Sequence, residues 1–157
     1  MKPATICFLI RPDEGKVLLG LKKTGFGRGK YNGFGGKVQP GESFTEGAAR
    51  EILEESGLVV DAEALFYQGE LWFIYPGNPA DNHHAAIFTT TAWSGKPCET
   101  EEMRPQWFSF DEVPYDHMWQ DDRHWLPGVL SGGTIRAEVL FELDGETIAE
   151  FRVLPNT

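Results

Sequence analysis

Cysteine, positive charge and long apolar runs are all scarce in this chain. Only two of its 157 residues are cysteine, Cys7 and Cys98. They have neither metal-ligand spacing nor the density of a disulfide framework, which predicts two free thiols in a reducing, cytoplasmic setting. Lys and Arg number 14 against 24 Asp and Glu, a formal net charge of -10. That balance argues against binding to duplex nucleic acid, because phosphate neutralisation needs exposed Lys and Arg. The N-terminal apolar stretch Ala4 to Ile10 stops at Arg11-Pro12. It is too short to span a bilayer and lacks a small-residue cleavage site, so it reads as a buried strand and no membrane association is expected. The chain shows no lipidation motif and no internal repeat. It has neither a P-loop nor the dinucleotide-binding G-x-G-x-x-G spacing.

What is present suffices for one folded domain over residues 1–157. A hydrophobic content of 41% with 13% aromatics is that of a globular protein, and a chain this long buries a sizeable core. Charge is unevenly spread. Residues 15–41 hold Lys16, Lys22, Lys23, Arg28, Lys30 and Lys37 with no acid, interleaved with Gly25, Gly27, Gly29, Gly33, Gly35 and Gly36. Glycine allows close backbone approach to a ligand and lysine adds charge, so the segment is either a mobile surface loop or an anion-handling one.

The pattern predicts strands at Thr5–Ile10 and Lys16–Leu21, and a helix over Thr45–Ser56 that ends at Gly57. Further strands are expected at Phe66–Tyr75, Ala85–Trp93 and Gln106–Phe110. Met118–Leu130 is expected to be partly helical, and Asp144-Gly145 marks a hairpin between Ala137–Leu143 and Thr147–Val153. Strands outnumber helices, so an α/β (α+β) fold with a mixed sheet between helices follows.

The chemistry concentrates in residues 36–58. On the predicted helix, Glu51, Glu54 and Glu55 fall within an arc of roughly 100°. Ala48, Ala49, Ile52 and Leu53 occupy the adjoining face and are expected to pack on the sheet. Three carboxylates on one face repel one another, and a divalent cation with room for water and phosphate, Mg²⁺ or Mn²⁺, relieves that repulsion. An E-x-x-E-E triplet alone is more commonly a solvated acidic face. Here it sits inside G-x5-E-x7-R-E-U-x-E-E-x-G-U, with U aliphatic, matched at Gly36, Glu42, Arg50, Glu51, Ile52, Glu54, Glu55, Gly57 and Leu58.

That pattern is the Nudix box, and the chain resembles the Nudix hydrolases. The resemblance implies a Nudix fold and a Mg²⁺-dependent hydrolase. It also implies that Glu51, Glu54, Glu55 and the Gly36 carbonyl ligate metal, that Glu51 or Glu54 is the base for the attacking water, and that Arg50 orients a box carboxylate by a bidentate pair. Glu42 is expected to brace the loop. Four further stretches, Lys22–Gly29, Asn32–Gln39, Glu102–Phe108 and Met118–Pro127, are similar to the MutT-like branch that removes oxidised purine nucleoside triphosphates from the nucleotide pool. In that branch 8-oxo-dGTP and 2-hydroxy-dATP types of substrate are cut to the monophosphate and pyrophosphate. The similarity implies base reading by Asn32, Asp121 and Asp122, and aromatic walls from Trp119, Phe26 and Phe73 with Trp125 nearby. It further implies a phosphate-side Lys22, an additional acid, Glu102, near the metal, and a monomeric enzyme.

The pocket can also be argued from the residues. Two adjacent carboxyls among aromatics cannot both be charged cheaply, so one retains a proton and the pair offers both a donor and an acceptor. Asp121-Asp122 could equally be a helix N-terminus pair, and Trp119 and Trp125 simple core. Cys7 is read as occupying a pocket position where the resembling proteins carry Thr. His83-His84 is read as surface polarity, with the two side chains pointing apart. No role is assigned to His117 and His124, which flank the Asp pair. Two alternatives stay open: the same chemistry on another nucleotide, such as a general nucleoside triphosphate or an ADP-ribose-like substrate, or a nucleotide-binding module without turnover.

Overall fold

The computed structural model describes residues 1–155. Eight strands form one mixed sheet: β1 (Lys2–Arg11), β2 (Lys16–Lys22), β3 (Tyr31–Asn32), β4 (Phe66–Ile74), β5 (His83–Thr90), β6 (Met103–Ser109), β7 (Ile135–Phe141) and β8 (Ile148–Val153). Helices α1 (Phe44–Ser56) and α2 (Asp122–Leu130) cover it. The order is β3-β2-β1-β5-β4-β7-β8, with β6 also paired to β2. β1–β5 and β4–β7 are parallel and the other pairs antiparallel. Among the described residues no helix is long and apolar enough to cross a membrane.

The sheet is apolar on both faces, and each face has its own core. Toward α2, Phe8, Leu71, Ile87, Leu126 and Val139 are fully buried with Trp125. Toward α1, Cys7, Leu9, Leu18, Phe34, Ile52 and Leu58 are buried. At roughly 1.5–3 kcal/mol per fully buried large side chain, either layer outweighs any one of the polar contacts that shape the site.

Helix α1 starts at a capping box. Ser43 accepts from the Glu46 N–H at 3.1 Å, and Glu46 accepts from the Ser43 N–H at 2.9 Å. It stops at Gly57, whose φ of 77° is left-handed and suits glycine. Its buried stripe is Ala48, Ile52, Glu55 and Ser56, spaced at helical i, i+4, i+7 and i+8. Leu53, expected against the sheet, is 51% exposed, because the stripe runs one residue to its side. Glu55 lies within the stripe, which moves one box carboxylate inward.

Several boundaries differ from those expected. Strand β6 begins at Met103 and passes through Pro105, opposite Gly20 of β2; a position that donates no N–H to a ladder tolerates proline. The helix after Met118 begins only at Asp122. Strand β5 starts at His83, so both histidines lie in the sheet rather than in the preceding loop. Alternation sends them to opposite faces, as expected, with His83 stacked on Phe73 and His84 on Trp72.

Candidate active site

One cavity of about 520 Å³ opens beside the ends of β1 and β5. Two groups of acidic side chains reach it. The first comes from α1 and from the residue before β6. One carboxylate oxygen each of Glu51, Glu55 and Glu102 lies within 4.8 Å of the others. Glu55 is 2% exposed. The Gly35 N–H donates to its Oε1 at 2.9 Å, and Lys22 Nζ stands 3.8 Å from Oε2. Burial pushes the Glu55 carboxyl up to about 8, the Gly35 N–H pulls against it, and repulsion from Glu51 adds to the rise. Burial also raises Glu51, with Arg50 opposing. Three hard oxygen donors drawn together against desolvation and repulsion fit a divalent metal ion.

Arg50 organises the approach to this cluster. Its Nε and Nη2 donate to the two Glu42 oxygens at 2.6 and 3.0 Å, while Nη1 donates to Glu51 Oε1 at 2.9 Å and to Glu54 at 3.3 Å. The planar guanidinium thus ties three carboxylates to one plane, which a lysine cannot do. Its Nη2 also donates to the Lys37 carbonyl at 3.0 Å, fastening the glycine-rich loop. That loop needs its glycines. A Cβ on Gly35 would lie 1.9 Å from the Thr5 carbonyl oxygen, and one on Gly36 would lie 2.9 Å from the Glu51 carboxylate carbon. Thr100 closes the other side. Its hydroxyl donates to the Glu55 carbonyl at 3.1 Å and accepts from the N–H groups of Glu102 and Met103. One hydroxyl joins the two segments that carry Glu55 and Glu102.

The second group lies among aromatics. Asp121 and Asp122 are buried, at 0% and 2% exposure. Trp125 Nε1 donates to Asp121 Oδ2 at 2.8 Å, whereas Asp121 Oδ1 and Asp122 Oδ2 have no partner among the described residues. A buried carboxyl oxygen without a partner costs about 1–3 kcal/mol or more, so both atoms are prepared for a ligand. Desolvation raises both carboxyls. Asp122 is pushed furthest, by burial and then by the charge of Asp121, while the Trp125 N–H favours ionised Asp121. The two carboxyls also interact with each other, so burial and mutual repulsion favour one retained proton on the pair, with Asp122 the more strongly raised. Phe26 stacks on Trp119 at 5.1 Å and meets Tyr75 edge-on. Lys30 Nζ sits 5.1 Å from the Trp119 ring centroid and pairs with Glu146 at 2.8 Å.

The NUDIX domain family model matches residues 1–129. The chain belongs to the Nudix family. It is 44% identical over 149 residues to the oxidized purine nucleoside triphosphate hydrolase of Mus musculus, covering 94% of this chain and 90% of that protein. The Danio rerio protein of the same name is 48% identical over 131 residues, covering 82% of this chain and 80% of that one. A MutT protein from Bacillus halodurans has the same fold, with a TM-score of 0.84, 24% identity and complete coverage of both chains.

Within this Nudix domain the expected site residues separate. Asn32, Phe26, Phe73, Trp119, Asp121, Asp122, Lys22, Gly36, Glu55 and Glu102 all line the cavity. Glu51 joins Glu55 and Glu102, whereas Glu54 stands outside that cluster, half exposed and held by Arg50. The Gly36 carbonyl accepts from the Thr5 N–H at 2.9 Å. The bidentate partner of Arg50 is Glu42, and Glu51 receives a single bond. Trp125 is not a pocket wall: it is buried against Phe8 and acts through its bond to Asp121. Cys7 does not reach the pocket either, because it is sealed in the core toward α1. Thr5, two residues earlier on the same strand, lines the cavity with an unpartnered hydroxyl. Of the six basic residues in the glycine-rich segment, Lys22, Lys30 and Lys37 line the cavity, and Lys23 instead pairs with Glu99. No motif in the sequence marks Thr5, Tyr75, His83 or Thr100.

Proposed function

We propose that this Nudix hydrolase cleaves oxidised purine nucleoside triphosphates, of the 8-oxo-dGTP and 2-hydroxy-dATP type, to the monophosphate and pyrophosphate with Mg²⁺. One observation carries the reading: the unpartnered buried oxygens of Asp121 and Asp122 share a single cavity with the Glu51, Glu55 and Glu102 cluster. A purine edge has use for the first and a polyphosphate for the second. The names of the mouse and zebrafish relatives agree with it.

Glu51, Glu55 and Glu102 would hold the metal, with Gly36 and Glu54 at its margin. When bound, Mg²⁺ supplies charge neutralisation on phosphoryl oxygens and a lowered pKa for water. The chain's own residues do the rest. Lys22 and Lys37 face the polyphosphate, and Trp119 and Phe26 take the base by stacking. Asn32 and the Asp pair read the edge of the base. The proton of the attacking water goes to Glu51 or Glu54, the two box carboxylates that Arg50 holds. Hydrolysis by in-line attack needs positioning and charge stabilisation more than covalent chemistry. The reading makes the protein a cytoplasmic monomer acting on a free nucleotide.

The test is a triphosphate panel with Mg²⁺, following pyrophosphate release at low substrate concentration. Oxidised purines are expected to outrun dGTP and dATP in kcat/KM. Equal rates for oxidised and unmodified purines, or preferred cleavage of ADP-ribose, would overturn the assignment.

A further inference from the structure

His83 is a half-buried titratable group that none of the chemistry above uses. It opens β5 and lines the cavity. Its ring stacks on Phe73 at 4.7 Å and lies nearly parallel to Tyr75 at 6.0 Å. Two aromatic neighbours thus hold the imidazole plane. Its Nδ1 lies 2.8 Å from the Asp81 carbonyl oxygen. A carbonyl has no proton to give, so Nδ1 carries the hydrogen and donates. Burial disfavours the imidazolium and lowers the His83 pKa; Asp81 opposes this, and Lys2 and Lys37 reinforce it. A neutral ring with its proton at Nδ1 has a lone pair at Nε2. Among the described residues no hydrogen bond engages that atom.

We propose that His83 is a specificity-determining residue whose Nε2 gives the base pocket a fixed hydrogen-bond acceptor, selecting purines that present an N–H or O–H to it. The proposal rests on the function proposed above and extends it to a second kind of base reading. The Asp121–Asp122 pair can exchange donor and acceptor by moving one proton, so it accommodates more than one purine edge. His83 cannot make that exchange, because Asp81 pins its proton on the far nitrogen. The pocket then combines an adaptable reader with a fixed one. A base that brings a lone pair to Nε2 meets repulsion and leaves a polar atom unsatisfied. A base that brings a proton gains a hydrogen bond to an atom otherwise left without a protein partner. The Tyr75 hydroxyl, also on the cavity and held protonated by burial and by the charge of Asp121, cannot substitute as an ionised acceptor.

His83→Phe keeps the ring stack and deletes Nε2, and His83→Gln keeps an acceptor without the ring. Both are compared with the parent on 8-oxo-dGTP, 2-hydroxy-dATP, dGTP and dATP with Mg²⁺. Calorimetric affinities for the four corresponding monophosphates without metal read the base contact apart from turnover, and thermal melts confirm folding. His83→Phe is expected to raise KM and Kd by about tenfold for the purines that donate to Nε2, with much smaller changes for the others and in kcat. His83→Gln is expected to recover part of that loss. Equal changes across all four bases, no change at all, or a Gln variant no better than Phe would overturn the proposal. Failure of the broader function is read separately, in the parent protein, as the absence of any preference for oxidised purines.

Discussion

The cavity brings together two sets of carboxyls, and the molecule treats them in opposite ways. At the Nudix box, Glu51, Glu55 and Glu102 are crowded near Lys22 and Arg50, with a glycine backbone N–H aimed at Glu55. Their surroundings favour the ionised form once a cation arrives. At the other site, Asp121 and Asp122 are buried near aromatic rings, with one indole N–H donated to Asp121. Their surroundings favour keeping a proton. In the function proposed above the same functional group would be a metal ligand in one place and a hydrogen-bond donor in the other. The available counter-charge, rather than the residue type, decides between them.

The sharpest way to break this contrast is Glu55→Gln. It should reduce Mg²⁺-dependent turnover by about 10²–10³-fold while raising the melting temperature of the metal-free protein, since glutamine replaces a carboxyl that must keep its proton in the fold but ionises freely in the unfolded chain. Steady-state rates and a metal-free melt decide it; undiminished turnover would remove Glu55 from the metal site. Next come the two Asp variants. Asp121→Asn removes the ionised acceptor and should raise KM for purine substrates by about 10–100-fold. Asp122→Asn imitates the protonated acid and should cost much less, while changing the ranking of oxidised guanine against oxidised adenine. Equal penalties from the two would mean that the proton is not localised on Asp122. Arg50→Lys loses the forked bond to Glu42 and should weaken Mg²⁺ binding by about tenfold, measured by calorimetry.

The smallest effect is on stability against pH. The folded Asp121 and Asp122 carboxyls, and metal-free Glu55, hold protons that the unfolded chain has lost. Their stabilisation is complete below about pH 4 and is lost as pH rises through about 6 for Asp121 and about 8 for Glu55. Melting temperature should therefore fall over that range, by a few degrees per site, and Asp122→Asn should flatten the curve between pH 4 and 6. A curve that rises there would reverse the sign assigned to the pair.

Much of the site was legible before folding. The box spacing pointed to Arg50 and the three glutamates, and the Met118–Pro127 stretch pointed to Trp119 and the Asp pair, and the fold brings most of them to one cavity. Other parts were not legible. Helical periodicity placed Glu51, Glu54 and Glu55 on one arc, yet only the packing of α1 on the sheet separates the buried Glu55 from the exposed Glu54. Aromatic spacing does not distinguish a ligand contact from a core contact, so only the fold shows that Trp125, expected near the walls, lies in the core. The length of the β1–β2 turn is not visible in a motif, so the sequence does not show that Thr5 rather than Cys7 lines the cavity. A polar residue at a strand end carries no periodic signal, so the sequence does not show that His83 lines the cavity.

The sequence by itself determined the local features of this protein: the capped helix with its left-handed glycine stop, the glycines at close approaches, and the order of acids along the Nudix box. These depend on backbone sterics and on spacings of a few residues. Only the tertiary structure decided which carboxyls keep their protons, which lysines face the cavity, and that Thr5, Tyr75, His83 and Thr100 belong to the site. Desolvation and hydrogen-bond completion arise between segments tens of residues apart, and no local pattern records them.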